Sequence, residues 1–255
     1  MSGEMLNRKE NKGSAGENVW HVENHSLQRK EIQTSETLKL GILLALSGGF
    51  MDAYSYICRG GVFANAQTGN MLLLGVNLSS GQWREAAGYA LPVTAFALGI
   101  AIAELIRFGM KDKNLLHWRQ MTVFLEALIL LLVAFIPLNQ NFLANALTSF
   151  ACGMQVESFR KVNGNASATT MCIGNLRNGT QHFCEFVEKR EKKHLKKGIL
   201  YYGIIVFFVI GAVIGNQVIQ WQGKTAIAVS SFLLMIAFLM MFADGRMESE
   251  KIGSE

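Results

Sequence analysis

The chain has 255 residues, of which half are apolar and only 17% are charged, with a formal net charge of +5. Soluble domains carry nearer a quarter charged residues, and here the apolar residues fall in blocks long enough to cross a hydrocarbon core of about 30 Å at a helical rise of about 1.5 Å per residue. That distribution argues against a water-soluble enzyme. A pI near 9.0 raises nucleic acid as a partner, and the placement of the charges answers it.

Residues 1–36 are polar, lack apolar periodicity and read as a disordered cytoplasmic tail. A membrane domain follows over 37–243, and a short charged cytoplasmic tail closes the chain at 244–255. Six apolar blocks fall at 38–58, 86–106, 121–136, 142–159, 198–219 and 225–242. The second contains Pro92 and many small residues, which membrane helices tolerate. The fourth is the least apolar, because Asn145, Gln155 and Glu157 interrupt it. The first block begins behind the long polar tail and so reads as a retained span rather than a cleaved signal. Cys58, Cys152, Cys172 and Cys184 have no CxxC or zinc-like spacing and read as free thiols.

Six spans starting from a cytoplasmic N-terminus leave only Arg59, Arg84 and Lys224 in outer loops. The inner segments hold Arg107, Lys111, Lys113 and Arg119, then Arg160, Lys161 and Arg177, then a basic run from Lys189 to Lys197. Lys and Arg concentrate on the cytoplasmic side of membrane proteins. The basic charge therefore sets topology, with both termini inside, and no nucleic acid is needed to explain it.

A shift of 105 residues (157 − 52) places Gly48 on Gly153, Asp52 on Glu157, Gly69 on Gly174 and Asn70 on Asn175. At a slightly larger offset the pair Gly99 and Ala103 falls on Gly211 and Gly215, a spacing that lets helices approach closely. These matches read as two copies of one unit, about 38–136 and 142–243. Three spans per copy is an odd number, so the second copy is inverted, as is common in secondary transporters. The fold class expected is thus an all-α integral membrane protein, two inverted three-helix repeats with short re-entrant or broken-helix segments.

Those segments are the stretch from Ala64 to Gly75, with Thr68, Gly69 and Asn70, and its counterpart around Gly174 and Asn175. Each is apolar for too short a run to cross. Irregular backbone survives at membrane depth only when buried in protein or lining a water-filled cavity, and a half-helix starting near Thr68 would aim its N–H groups there. An ordinary surface loop with a glycine turn is the alternative. Asp52 lies 13 residues (52 − 39) beyond Lys39 in apolar sequence, and a carboxylate in hydrocarbon usually faces the bundle interior. Coupling to a proton or cation follows from that position. The plainer alternative places Asp52 and Glu157 at helix ends, paired with Arg59 or Arg160. Glu126 is a third intramembrane acid, and Glu104 with Arg107 reads as an interfacial pair.

No P-loop, HExxH or GxSxG occurs. The five histidines lie outside the expected spans, so no catalytic residue, cofactor or metal ligand set is read from them. The stretch 181–197 reads as a cytoplasmic surface helix leading into the fifth span.

Gly48-Gly49-Phe50-Met51-Asp52-Ala53, followed by Phe63-Ala64-Asn65-Ala66-Gln67-Thr68-Gly69-Asn70, resembles the YoaK-like bacterial membrane proteins, the family of domain of unknown function 1275. The resemblance extends over roughly 38–243. In the second half, Gln155 to Lys161 and Thr169-Thr170 through Gly174-Asn175 resemble the family's second motif, although Ile173 replaces the threonine expected before that glycine. The resemblance implies a bacterial inner-membrane protein and supplies no substrate. Taken with the repeat, the expectation is a transporter or permease for an unidentified small solute or ion, with site residues Asp52, Thr68, Gly69, Asn70, Glu157, Gly174 and Asn175. An uncoupled channel and a non-transporting scaffold are the alternatives. The lipid bilayer is the expected partner, and self-association as a homo-oligomer is left open.

Overall fold

The computed structural model describes residues 37–110, 115–167 and 169–252. The N-terminal tail at 1–36, the basic residues Lys111 and Lys113, and the last three residues lie outside the described residues. Among the described residues, eight α-helices follow in order: α1 Leu38–Cys58, α2 Gln67–Ser79, α3 Trp83–Gly109, α4 Leu115–Phe135, α5 Asn141–Ser158, α6 Cys172–Lys189, α7 Lys192–Gln222 and α8 Ala228–Ile252. Between α5 and α6 a two-stranded hairpin joins β1 (Lys161–Val162) to β2 (Asn165–Ala166). The segment 244–252, read from sequence as a tail, continues α8 as helix.

The polarity of the molecule is inside out. Leu98, Leu105, Phe135 and Phe232 are more than half exposed, whereas Asp52, Arg59, Glu126, Asn70, Asn145 and Gln155 are buried. Water would penalise that arrangement, and lipid tails favour it. Four helical runs are long and apolar enough to cross a membrane: Leu38–Cys58, Trp83–Gly109, Trp118–Phe135 and Lys192–Ala243. The last joins α7 to α8 through a 3-10 segment, Gly223–Ile227, and its 52 residues would measure about 78 Å as one straight helix. Helix α5, expected as a span, forms but is too polar to meet the same criterion.

Two helix pairs close through backbone contact, α1 with α7 and α3 with α5. A Cβ added at Gly49 would stand 1.9 Å from the carbonyl oxygen of Phe208, and one at Gly211 would stand 2.1 Å from that of Leu46. In the other pair, Gly99 faces the Phe150 carbonyl and Gly153 the Phe96 carbonyl, each at 2.1 Å from an added Cβ. Gly215 packs on Phe50 and Ala53 of α1, and Ala103 is wholly buried on α3. Lipid gives little hydrophobic drive between helices, so dispersion between closely approaching backbones supplies much of the attraction. Around these crossings a core of Leu44, Phe50, Met51, Leu130, Ile227 and Leu234 joins α1 to α4 and α8.

The hairpin turns through Asn163 at φ 51° and Gly164 at φ 73°. A two-residue hairpin of this hand needs positive φ at both positions, which Asn-Gly accepts most readily. The turn sends Val162 inward against Gly41, where an added Cβ would lie 2.7 Å from the Val162 side chain.

Substituting Gly49 by Ala puts an atom where the Phe208 carbonyl already stands. Overpacking of this kind costs about 1–3 kcal/mol, which we expect as a Tm lowered by roughly 2–10 °C in detergent. Gly203→Ala, at a position with open space around it, is the control and should leave Tm unchanged or slightly raised. Equal Tm values for the two variants would contradict the backbone-contact crossing.

Candidate functional site

Helix α1 ends at Arg59, and Gly60 and Gly61, with φ of 87° and 75°, turn the chain back along it. The returning segment reaches Asp52, whose Oδ1 accepts a hydrogen bond from the backbone N–H of Asn65 at 2.7 Å. Seven residues (59 − 52) of helix correspond to about 10 Å, so the chain returns by about that length alongside α1 before α2 begins. Helix α2 has 13 residues, about 20 Å, which is too short to cross and long enough to leave again. Its N-cap, Ala66, has no side-chain oxygen to offer. Asp52 supplies the acceptor from another helix, and the amides of Ala64 and Ala66 face the same carboxylate. A carboxylate at a helix N-terminus also meets the positive end of the helix dipole.

The remaining peptide groups of this turn are met from within α2. Asn70 Oδ1 accepts from the Phe63 N–H at 3.0 Å, and its Nδ2 donates to the Phe63 carbonyl at 2.7 Å and to Gln67 Oε1 at 2.8 Å. Gln67 Nε2 donates to the Ala64 carbonyl at 2.8 Å and reaches Ser149 Oγ of α5 at 3.4 Å. Gly69 leaves room for the Phe63 ring, and Thr68 is exposed on the outer side of the turn.

The second broken segment arrives at the same helix. Thr170 is buried, and a Cβ at Gly48 would lie 2.6 Å from its methyl group. Asn65 Nδ2 donates to the Gly48 carbonyl at 3.2 Å, so Gly48 is where both segments touch α1. Cys172, which opens α6, is within electrostatic reach of Asp52. Asn175 is buried and accepts from Ser167 Oγ at 2.8 Å, while Gly174 is exposed with open space about it. Glu157 sits apart from this meeting point, at the end of α5, where Arg160 lies 3.0 Å away and in turn approaches Glu104 at 3.9 Å. Glu104 also makes a close ion pair with Arg107. The pairing of Glu157 with Arg160 is the helix-end alternative weighed from sequence.

Two features escaped the sequence reading, Arg59 and a set of unpartnered oxygens, and Glu126, read there as an intramembrane acid, is indeed buried. Arg59, expected in an outer loop, is buried, and all five of its N–H donors find acceptors. Nε donates to the Tyr54 hydroxyl at 2.8 Å. Nη2 reaches the carbonyls of Val133 and Ile136 at 3.1 and 2.9 Å, and Nη1 the carbonyl of Pro137 and Oδ1 of Asn141 at 3.2 and 3.4 Å. It pairs with carbonyls at the end of α4 and not with Asp52; those of Val133 and Pro137 also accept from the N–H groups of Ile136 and Gln140. Glu126 is buried with Oε1 lacking a hydrogen-bond partner, and Cys152 lies within electrostatic reach of both it and Asp52. Finally, three buried oxygens lack a hydrogen-bond partner on residues that adjoin Gly48 in sequence or touch it: Ser47 Oγ, Asn65 Oδ1 and Thr170 Oγ1. Isolated Ser, Thr and Asn give no such signal in a sequence.

An apolar exterior, polar side chains held inside and helices long and apolar enough to cross a bilayer define a helical transmembrane protein. The chain belongs to the family described as protein of unknown function (DUF1275), whose model matches residues 40–240. It is 27% identical over 180 residues to the UPF0700 transmembrane protein YoaK of Bacillus subtilis (strain 168), covering 68% of this chain and 79% of that protein. No solved structure matches it.

Arg59→Lys keeps the charge but offers three donors to five acceptors. The Val133 and Pro137 carbonyls keep their backbone donors, so the loss falls mainly on the Ile136 carbonyl and the Tyr54 and Asn141 side chains. At about 1–3 kcal/mol for a buried acceptor left open, the variant should accumulate in membranes below the wild-type level, and Arg59→Met lower still. Immunoblotting of membrane fractions measures it; wild-type levels of Arg59→Met would mean that the α4 carbonyls are satisfied some other way.

Proposed function

We propose that this protein is a secondary transporter for a small solute, coupled to a proton or another cation, in the bacterial inner membrane. The carrying observation is the set of buried oxygens around Gly48. Ser47, Asn65 and Thr170 each offer an unpartnered oxygen, and the Asp52 carboxylate lies one helical turn on (52 − 48). Buried polar atoms without partners are rare and call for an ion, a water or a ligand. Oxygen donors with one carboxylate suit a hard cation, and the two broken segments give the site one wall from each half of the chain.

The membrane domain in this reading has six crossings, α1, α3 and α4 from one copy and α5, α7 and α8 from an inverted second copy, with α2 and α6 as the broken segments. The two glycine crossings support it, since α1 meets α7 as α5 meets α3. In that correspondence Gly49 and not Gly48 matches Gly153, an offset of 104 (153 − 49) in place of the 105 read from sequence. Asp52 then falls opposite Val156, beside Glu157, and Gly48 is freed to receive Thr170. The site then falls near the midplane between copies, where inverted-repeat transporters hold substrate. Trp83 and Trp221, both more than two-thirds exposed, would sit at the outer interface, where tryptophan concentrates.

Topology is tested with reporter fusions. Fusions at residues 140 and 224 should read outside, and those at 112, 192 and 255 inside. An outside reading at 192 would end both the orientation and the inverted repeat.

Coupling is tested at Asp52 by profiling metabolite uptake in proteoliposomes under imposed proton and sodium gradients. Asp52→Asn keeps an oxygen to accept from Asn65 and removes the ionisable group, so it should accumulate normally and lose gradient-driven uptake. Asp52→Leu removes the cap as well and should accumulate poorly. Uptake in Asp52→Asn that still follows the gradient would remove the coupling role. Wild-type flux indifferent to any gradient would instead mark a channel, and no flux, with a phenotype lost on deleting 1–36, would mark a scaffold.

A further inference from the structure

Helices α6 and α7 form a hairpin whose turn places a second group of side chains together. Arg190, at φ 57°, ends α6 in a left-handed conformation, and His194 falls in the first turn of α7 with its backbone N–H donating to the Glu191 carbonyl at 3.0 Å. On α6, His182 and Glu185 are three residues apart and so share a face. His194 Nδ1 lies 2.6 Å from Glu185 Oε2, His182 Nδ1 lies 2.9 Å from the same oxygen, and the two Nδ1 atoms are 3.4 Å apart.

Three ligand atoms thus converge on one point. A tetrahedral zinc ion with bonds of about 2.0–2.1 Å holds its ligand atoms about 3.3 Å apart. The nitrogen pair is already at that spacing, and the nitrogen–oxygen contacts of His194 and His182 with Glu185 need to open by about 0.7 and 0.4 Å. Outer contacts hold each ligand in place. Gln181 Nε2 donates to Glu185 Oε1 at 3.1 Å, which leaves Oε2 facing the two histidines. Tyr201 stacks on the His182 ring with 14° between planes, its own hydroxyl anchored on the Ala166 carbonyl at 3.0 Å. His194 is nine-tenths buried, and its Nε2 has no hydrogen-bond partner, with Glu191 Oε2 waiting 3.7 Å away.

We propose that His182, Glu185 and His194 bind one divalent transition-metal ion of the zinc class, clamping the end of α6 to the start of α7. A metal on Nδ1 would fix the remaining His194 proton on Nε2, aimed at Glu191, which is the outer carboxylate that metal-bound histidines commonly use. The class of ion follows from the ligands and the surroundings. Lys189, Lys192 and Lys193 flank the group, Lys193 in a close ion pair with Glu191. Calcium or magnesium, held by carboxylate oxygens and charge, would be disfavoured there. Imidazole nitrogens bind zinc, cobalt, nickel or copper in spite of it. The site is independent of the transport reading, because none of its ligands belongs to the group around Gly48.

The test uses tag-free, full-length protein in detergent, stripped with chelator and titrated calorimetrically with zinc, then with cobalt while following visible absorption. One equivalent of zinc should bind, and cobalt should give the intense bands of a low-coordinate site. His182→Gln and His194→Gln should each weaken binding by about 100-fold or more, beyond the roughly 10–100-fold expected of the outer-contact variant Glu191→Gln. His25→Gln and His117→Gln should bind as wild type does. Wild-type protein that takes up no stoichiometric zinc overturns the proposal whatever the variants do. Zinc binding of unchanged affinity in the folded His182→Gln/His194→Gln double variant overturns it equally, and leaves these residues as an ion-paired helix contact.

Discussion

A peptide group placed at membrane depth outside a regular helix must find its hydrogen-bond partner in the protein, because no water or lipid group will provide one. Where this chain leaves its helices among buried residues, side chains meet the freed peptide groups. Asp52 receives the amide of Asn65, Asn70 and Gln67 take up the carbonyls of Phe63 and Ala64, and Arg59 gathers three carbonyls at the end of α4. Each of these side chains would be costly in hydrocarbon on its own. Joined to backbone, each removes two costs together, that of the buried side chain and that of the open peptide group.

The same exchange explains α5. Its polar residues look out of place in a membrane helix until their partners are seen. Asn145 Nδ2 donates to the Arg59 carbonyl at 2.8 Å, and Gln155 Nε2 reaches the Leu44 carbonyl at 3.3 Å. Both contacts go to α1, one near each end of it. Helix α5 is therefore polar on the side that holds α1 and apolar at Phe142 and Leu143, which are exposed. A hydropathy window averages the two faces and undervalues it. Tight crossings at Gly99 and Gly153 keep the polar face from lipid.

How much was legible in the sequence follows from the length scale of each signal. Apolar blocks of about 20 residues announce themselves, and α1, α3, α4, α7 and α8 fall on them. The short helix α2 starts at Gln67, beside the Thr68 expected from the Gly-Asn turn. The hairpin at 161–166 could have been read from Asn163-Gly164, since that dipeptide is the strongest short hairpin signal. What stayed hidden depended on residues brought together from afar. The five acceptors of Arg59 come from Tyr54 and four residues between 133 and 141, and no local pattern around residue 59 points to them. The histidine group at α6 and α7 was hidden differently: an H-x-x-E step nine residues (194 − 185) before a lone histidine is common in basic surface helices, and only the hairpin turn makes it convergent.

The two halves differ where chemistry is concerned, and the difference has a direction. Around α2 the carboxylate is buried and caps the broken helix from α1. At the corresponding end of α5 the acid is Glu157, which has Arg160 beside it and a second ion pair, Glu104 with Arg107, close by. A carboxylate already matched by cations is a poor place for a coupling ion, because the ion would have to displace a charge of its own sign. Asp52 faces amides instead of cations among its hydrogen-bond partners, so adding one positive charge improves its balance. If duplication built the fold, then, the copies have since divided the work. The first holds the charge that a cation could neutralise, while the second supplies Thr170 to the same spot and ties its own acid to the basic end of the bundle. Under the proposed transport reading, an even-handed pair of sites would let an ion bind equally on either side, whereas a single buried acid beside Thr170 would give one position that both halves must share.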